Sequence, residues 1–299
     1  MDGRESAGRI YEVEMEENLG PLFRQQSHRS PLTFVSLSSG SCGNCSLLTY
    51  QDTSIIIDAG VGIRKFHQTI RENAIDLQQV KAILITHDHA DHTRAAVRLA
   101  HKYQWQIYAA PSVARALLYH RFASAELSAY LKSIEIGRSF EIGKLRIRTF
   151  EVPHDSTQNV GYAIDTPQGR FTFITDIGEV TSTIIEEVKA AKYLVFESNY
   201  DRQLLQSGPY SIFLKARISG GEGHISNEEA ASTLAQNITP HTRFLALCHL
   251  SGENNTPELA METLYEAFRK HGKENLLLDQ HLHLTVLKRG ECSALYQLS

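Results

Sequence analysis

One short segment constrains what this chain can fold into more than any other. Residues 87–92 read His-Asp-His-Ala-Asp-His and directly follow the apolar run ILIT. In an extended segment, side chains two positions apart point the same way, which groups His87 with His89, and a helix that starts near Asp91 would redirect His92. The apolar run predicts a buried strand. Because the segment concentrates imidazoles and carboxylates, it predicts a metal site at the edge of a sheet.

Four later apolar runs also end in His, Asp or Glu, and each has the β-branched and aromatic residues typical of strands. They are RIRTFEVPHD, RFTFITDIGE, YLVFESNYD and TRFLALCHLS. Near the N-terminus, LTFVSL, SLLTY and SIII are further strand candidates, and the helix candidates are 65–73, SVARALLYHRF, SNEEAASTLAQNI and PELAMETLYEAFRKHG. The mixture predicts an α/β fold in which sheets pack on each other with helices outside.

The N-terminal segment differs in composition from the rest of the chain. Residues 1–31 mix glutamates with Gly, Arg and Ser and show no apolar period, so we expect a flexible N-terminal tail followed by one domain over 32–299. No apolar run approaches the roughly 18 residues of a membrane span, and the N-terminus lacks the features of a signal peptide. The expected location is therefore the cytoplasm, with no membrane partner.

Charge and cysteine content narrow the possible partners. The net charge of −4 and the pI near 6.4 provide no global basic field, so nucleic-acid binding would depend on local basic patches or on bound metal. Four cysteines include a single Cys-x-x-Cys pair, Cys42 and Cys45. Because a zinc ribbon needs a second pair, we expect buried or idle thiols, while a redox role for this pair stays open.

The segment 87–92 resembles the His-x-His-x-Asp-His motif of the metallo-β-lactamase superfamily. The resemblance implies a four-layer αββα sandwich and a hydrolase with two divalent metal ions per chain. Its ligand roles fall on His87, His89 and His154 for one ion, on Asp91, His92 and His249 for the other, with Asp176 as the bridge and Asp58 as the acid that orients the metal loop. A set of imidazole and carboxylate ligands without a thiolate suits either zinc or manganese, and the sequence does not distinguish between the two metals. Such ions bring the pKa of water toward neutrality, so Asp91 and Asp176 are expected to serve catalysis.

The last third of the chain bears on the substrate. Its glycine-rich turn, histidine and capped helix resemble the end of nuclease-type members of the superfamily, which implies that His224 binds phosphate or acts as a general acid, helped by the start of the following helix. A solvent-exposed turn histidine is the alternative. The segments SLSSGSCGN, THDHADH, FESNYD, LKARISGGEGHISN and LSGENN together resemble the YycJ/WalJ-like subfamily, over roughly residues 33–290.

That resemblance implies a cytoplasmic nuclease, with 5′-to-3′ exonuclease activity on single-stranded DNA, a suggested role in mismatch repair, and an association with cell-wall stress signalling. Cys42 departs from the pattern, since a small polar residue such as Ser is expected there. Candidate substrate residues are Asn199, Asp201, Lys215 and Asn227. Glu197 could line the groove or orient His224, and structural support is an alternative for it and for its neighbours in FESNYD.

Other side chains could also contact a nucleic acid. Cationic groups could bind phosphates or form ordinary solvated surface, and tyrosines could stack on bases or simply pack; they are Arg94, Arg98, Arg217, Tyr200 and Tyr210. Two competing functions stay open. A hydrolase of small esters, thioesters or lactams would keep every ligand but leaves the GHIS turn without a role, and a noncatalytic regulator would not need a full ligand set. The sequence leaves the oligomeric state unknown.

Overall fold

The computed structural model describes residues 31–119, 127–278 and 282–298. The expected tail, except Pro31, and the end of the candidate SVARALLYHRF lie outside the described residues. Within them the chain forms these strands: β1 (Leu32–Ser38), β2 (Cys45–Tyr50), β3 (Thr53–Ile57), β4 (Val80–Leu84), β5 (Gln106–Ala109), β6 (Leu131–Ser133), β7 (Ser139–Ile142), β8 (Leu145–Glu151), β9 (Val160–Thr166), β10 (Gly169–Ile174), β11 (Tyr193–Glu197), β12 (Phe244–Cys248), β13 (His283–Val286) and β14 (Tyr296–Leu298).

The helices of the same residues connect these strands or follow them. They are α1 (Ile63–Glu72), α2 (Ala90–Thr93), α3 (Ala96–Tyr103), α4 (Pro111–Leu118), α5 (Leu127–Tyr130), α6 (Ser182–Ala190), α7 (Arg202–Ser207), α8 (Ile212–Ile218), α9 (Asn227–Asn237), α10 (Pro257–Lys270) and α11 (Glu274–Leu278). No helix in the described part of the chain has the length and apolar character needed to span a membrane.

The strands form two mixed sheets of seven strands each. The orders are β14-β1-β2-β3-β4-β5-β6 and β13-β12-β11-β10-β9-β8-β7. In the first sheet β3 to β6 pair in parallel, and in the second β10 to β13 do, while the remaining neighbours are antiparallel. Each parallel half returns through helices, which must then cover the outer faces of the sheets.

The alternation of side chains along β11 shows how the layers stack. Tyr193 and Val195 belong to the core between the two sheets, whereas Leu194 and Phe196 belong to a second core beneath α6, α9 and α10. Successive strand residues point to opposite faces, so this sheet is buried on both sides. The first sheet is covered on its outer face by α1, α3 and α4. The fold is therefore the expected four-layer αββα sandwich.

The strands predicted to end in polar residues do so at one edge of the sandwich. Asp58 directly follows β3 and His249 directly follows β12, while Glu197 is the last residue of β11. Asp58, Asp176 and His249 have φ values of 59°, 56° and 56°. This left-handed region is uncommon for residues other than glycine, and Asp and His are among those that enter it most readily. Each strand thus ends in a sharp turn that carries a functional side chain.

Helix α9 follows its sequence signals closely. Ser226 caps it: the Ser226 hydroxyl accepts a hydrogen bond from the Glu229 backbone N–H, and the Glu229 carboxylate accepts one from the Ser226 backbone N–H. This reciprocal arrangement satisfies two amides that the first turn would leave without partners. Ser226 is therefore the cap, and Asn227 is the first residue of the helix.

Candidate metal centre

The first group of ligands gathers three histidines from two strand ends. His87 and His89 follow β4, His154 follows β8, and their ligand nitrogens lie within 4.8 Å of one another. The His154 Nδ1–H donates to the Gly223 carbonyl at 2.8 Å, and His89 Nε2 lies 3.2 Å from the Asp155 carbonyl. Each of these two contacts engages one ring nitrogen and leaves the other nitrogen of that ring available as a ligand.

The second group lies beside the first. Asp91, His92 and His249 bring their ligand atoms within the same limit of 4.8 Å. Asp176 lies between the two groups, with one carboxylate oxygen 3.3 Å from His92 Nε2 and the other 3.7 Å from His154 Nε2. The structure therefore brings together all seven residues that the resemblance assigned as ligands, with Asp176 between the two groups.

The donors of this cluster fit divalent metal ions. The Nε2 atoms of His87, His154 and His249 are buried and have no hydrogen-bond partner among the described residues. A buried polar atom without a partner is unfavourable by about 1–3 kcal/mol, so three such atoms around one centre need a shared ligand. His92 Nε2 differs, since Asn44 Nδ2 lies 2.9 Å away, a contact that a metal would replace.

Asp58 contacts the loop that carries the histidine cluster. It is completely buried, and one of its carboxylate oxygens accepts a hydrogen bond from His92 Nδ1–H at 2.7 Å, which turns His92 Nε2 toward the cluster. The other oxygen accepts from the Thr86 backbone N–H. The loop also packs on Gly60, where an added Cβ would lie 1.5 Å from the Asp91 carbonyl oxygen. Only glycine can allow this approach.

Charge within the cluster divides the histidines into two kinds. Burial lowers the pKa of His87 and of His154. Burial acts the same way on His92, but the Asp176 and Asp58 carboxylates outweigh it and raise its pKa to about 9. The pKa of His249 is likewise raised, since Asp176, Asp91 and Glu197 surround it. His87 and His154 are therefore neutral and ready to bind a metal, whereas His92 and His249 must first lose a proton.

Glu197 connects this cluster to His224. The Glu197 carboxylate is completely buried, and one oxygen lies 2.9 Å from His224 Nδ1 and 2.9 Å from His249 Nδ1. The second oxygen accepts from the Ile177 backbone N–H at 2.8 Å. Burial raises the pKa of Glu197, but the two histidines outweigh that effect and lower it. Of the roles open to Glu197, the structure shows the one in which it orients His224, and it adds the same contact with His249.

His224 lies at the wall of a cavity of about 210 Å³ above the cluster. Its ring centroid is 5.0 Å from that of His154 and 5.2 Å from that of His249, so it is not a free turn histidine in solvent. The His224 backbone N–H donates to the Ile218 carbonyl, and a Cβ on Gly223 would lie 2.2 Å from the same oxygen. The end of α8 therefore packs directly on the turn that carries His224.

The four candidate substrate residues do not line this cavity. Asn227 is fully buried, where its side chain bonds Ser198 and Asn255, so a substrate cannot reach it. Asn199 is also buried, and its amide donates to the His249 carbonyl at 2.7 Å. Asp201 caps α7, and the Lys215 ammonium donates to the Gln206 carbonyl. Asn199 thus contacts His249 instead of the cavity, and substrate contacts by Asp201 and Lys215 stay predictions.

The other candidates fall in different places. Arg217 lines the cavity, where its Nε donates to an Asp155 carboxylate oxygen. Arg94 is exposed and donates to the Cys42 carbonyl, while Tyr200 is buried and Tyr210 is half-buried. The thiols form no disulfide: Cys45 and Cys248 are buried, Cys292 is partly buried and Cys42 is exposed.

Sequence reasoning missed several residues that shape the site. Asn44 and Thr86 contact His92, and the Asp155 carboxylate lies 3.4 Å from His154 Nε2. Asn44 and Thr86 stand within segments already singled out, and Asp155 directly follows a predicted ligand. The sequence could therefore have predicted that these residues lie near the cluster, but it could not have predicted the direction of their side chains.

Comparison with known proteins agrees with this geometry. A family model for the beta-lactamase superfamily domain matches residues 53–247. Exodeoxyribonuclease YycJ of Bacillus anthracis is 31% identical over 241 residues, which cover 81% of this chain and 90% of that protein. Exodeoxyribonuclease WalJ of Streptococcus pneumoniae is 32% identical over 228 residues, 76% of this chain and 85% of that one. The metallo-beta-lactamase fold protein YhfI of Bacillus subtilis superimposes with a TM-score of 0.64 at 14% identity, over 88% of this chain and 99% of its own.

Proposed function

Because this chain belongs to the beta-lactamase superfamily, and within it to the family of the YycJ and WalJ exodeoxyribonucleases, and is a metal-dependent hydrolase, we propose that it is a nuclease. Its proposed substrate is single-stranded DNA, degraded from the 5′ end, and its proposed cofactors are two zinc or manganese ions per chain. The observation that supports the proposal is the position of His224 beside the ligand cluster. There, one Glu197 carboxylate oxygen lies 2.9 Å from His224 Nδ1 and holds the ring in place. A hydrolase of small esters would have no evident use for that histidine.

The residues of the cluster would hold the two ions in the groups already described, with Asp176 shared. Divalent ions supply Lewis acidity, which makes water a stronger acid and neutralises charge on a phosphate. The protein contributes the rest. Asp58 fixes His92, Glu197 fixes His249, and buried strands hold both acids in place, so the ligands need little rearrangement to bind.

His224 would act on the phosphodiester itself. Since its Nδ1–H faces the Glu197 carboxylate, the opposite nitrogen is free to bind a phosphate oxygen or, when protonated, to give a proton to the leaving oxygen. Arg217 at the same cavity adds a cation that can bind a second phosphate. A role in DNA repair and a cytoplasmic location belong to the same proposal.

End-labelled oligonucleotides test the substrate and the direction together. The protein, loaded with manganese or zinc, is incubated with single- and double-stranded DNA and RNA labelled at either end, beside a closed circle and a β-lactam. We expect early mononucleotide release from 5′-labelled single-stranded DNA and an intact β-lactam. Earlier release from the 3′ label, or rapid cutting of the circle, contradicts the proposed polarity, and hydrolysis of the β-lactam alone contradicts the nuclease.

A further inference from the structure

Helix α8 (Ile212–Ile218) carries an apolar surface that the described residues leave open. Ile212 is 83% exposed and Phe213 is 87% exposed, and α8 has no buried residue. The helix is nevertheless anchored, because the Ser211 hydroxyl accepts from the Leu214 backbone N–H at 3.2 Å and the Lys215 ammonium donates to the Gln206 carbonyl. Large apolar side chains grouped on an exposed and anchored helix are typical of a binding surface.

This helix reaches from the metal cavity to the outer surface. Leu214, Arg217 and Ile218 line the cavity. Phe213 precedes Arg217 by four residues, which puts the two on the same side of the helix and separates them by roughly 6 Å along its axis. A molecule that enters the cavity past Arg217 therefore meets Phe213 about one helical turn away.

The composition of α8 favours one kind of occupant. The segment IFLKARI contains two cations, Lys215 and Arg217, and no acidic residue. The Arg217 side chain is 63% exposed, and only its Nε faces Asp155, so further guanidinium donors remain for a phosphate. Of the two cations, Arg217 lies on the Phe213 side of the helix, whereas Lys215, two residues from Phe213, faces the other way and donates to the Gln206 carbonyl. A cation beside an exposed aromatic ring is how proteins bind single-stranded nucleic acid, with a phosphate on the cation and a base on the ring.

We propose that Phe213 stacks on a base of single-stranded DNA whose scissile phosphate lies in the metal cavity, and that α8 thereby selects single strands. The inference rests on the proposed nuclease function and adds the contact that positions the substrate. A base within a duplex is already stacked on both faces, so it can lie on Phe213 only after it is unstacked. Phe213 is a positioning residue, since it lies outside the cavity and does not touch the reacting atoms.

Substitutions at Phe213 test the contact. We compare Phe213→Ala, Phe213→Leu and Phe213→Trp with wild type, using a single-stranded oligonucleotide and bis(p-nitrophenyl) phosphate, a small diester without a nucleobase. Phe213→Ala should raise KM for the oligonucleotide roughly 5- to 150-fold, the scale of one lost base stack, and leave kcat for the small diester unchanged. Phe213→Trp should restore the wild-type KM, whereas Phe213→Leu should not, because leucine is apolar but has no ring.

Two further measurements sharpen the result. Tyr119→Ala removes a ring that is 85% exposed at the end of α4 and should leave both substrates unaffected. An oligonucleotide with 2-aminopurine near its 5′ end should lose fluorescence on wild type but not on Phe213→Ala. A wild-type KM in Phe213→Ala, or full function in Phe213→Leu, overturns the stacking proposal and favours α8 as a protein-binding surface. Failure of the proposed nuclease function looks different, since the wild type itself would then cleave no nucleic acid.

Discussion

Replacing Glu197 by glutamine tests the buried carboxylate that hydrogen-bonds both His249, a proposed ligand, and His224, the proposed acid. One Glu197 oxygen accepts from His224 and His249 at 2.9 Å each, and the other accepts from the Ile177 backbone N–H at 2.8 Å. Glutamine has nearly the same shape but only one accepting oxygen. Whichever way its amide turns, an NH₂ group must face N–H donors.

The size of the effect follows from the bonds lost. A hydrogen bond to a charged group contributes about 1.5–3 kcal/mol, which corresponds to roughly 10- to 150-fold. Removing the partner that orients a metal-bound histidine typically weakens metal affinity or activity by about 10- to 100-fold. Glu197→Gln should therefore lower kcat and the affinity for the metal at His249 together, each by roughly 10- to 100-fold.

The assay measures both quantities on the same protein. Metal affinity is obtained by calorimetric titration of the metal-free protein, and kcat from hydrolysis of bis(p-nitrophenyl) phosphate at saturating metal. Glu187→Gln is the matched control: Glu187 is also a buried acid, but it pairs with Arg148 and Arg170 and lies outside the cluster. That variant should keep wild-type metal affinity. A folded Glu197→Gln with unchanged kcat and unchanged affinity would contradict the proposed role of Glu197.

Further predictions concern the ligands and the acid. His224→Ala should keep the wild-type metal content, measured by elemental analysis, and lose roughly 10²–10⁴-fold in kcat, the scale of a positioned acid or base; unchanged turnover would remove His224 from catalysis. The wild type should contain two divalent ions per chain, and a double variant, His89→Ala with Asp176→Ala, should not load normally. The pKa of His92 is about 9 and that of His249 is raised. Both side chains are therefore positively charged imidazolium groups at neutral pH in the metal-free protein. Metal binding should release those protons, so calorimetric affinity should rise as the pH increases toward 9, and a pH-independent affinity would contradict this.

The strands and their polar ends could be predicted from the sequence because their signals are local. Each run that ends in a ligand is apolar, rich in β-branched or aromatic residues, and shorter than a helix. The parallel pairing of β10, β11 and β12 then brings their ends to one edge. The same locality explains α9, whose capping residues stand three positions apart, at Ser226 and Glu229.

The partners of buried polar groups could not be predicted in this way. Asn227 was a candidate for substrate binding, yet its amide bonds Ser198 and Asn255, which lie 29 and 28 residues away. A polar residue next to a glycine-rich turn has the same local pattern whether it faces solvent or a buried neighbour. Only the packing of α9 against the end of β11 decides between them, and nothing within a few residues of Asn227 encodes that contact.

Three left-handed residues at the site show why fold and site depend on each other. Asp58, Asp176 and His249 adopt φ values near 56–59°, a conformation that is unfavourable by about 1–3 kcal/mol per residue for side chains other than glycine. Glycine at these positions would relieve the backbone but remove the proposed bridge, a proposed ligand or the acid that hydrogen-bonds His92. The strain is tolerated because the sandwich holds each turn between buried strands, and because the side chains satisfy one another once the set is complete. Removing metal should therefore weaken the turns that carry the proposed ligands before it affects the sheets, since the Nε2 atoms of His87, His154 and His249 have no hydrogen-bond partner among the described residues.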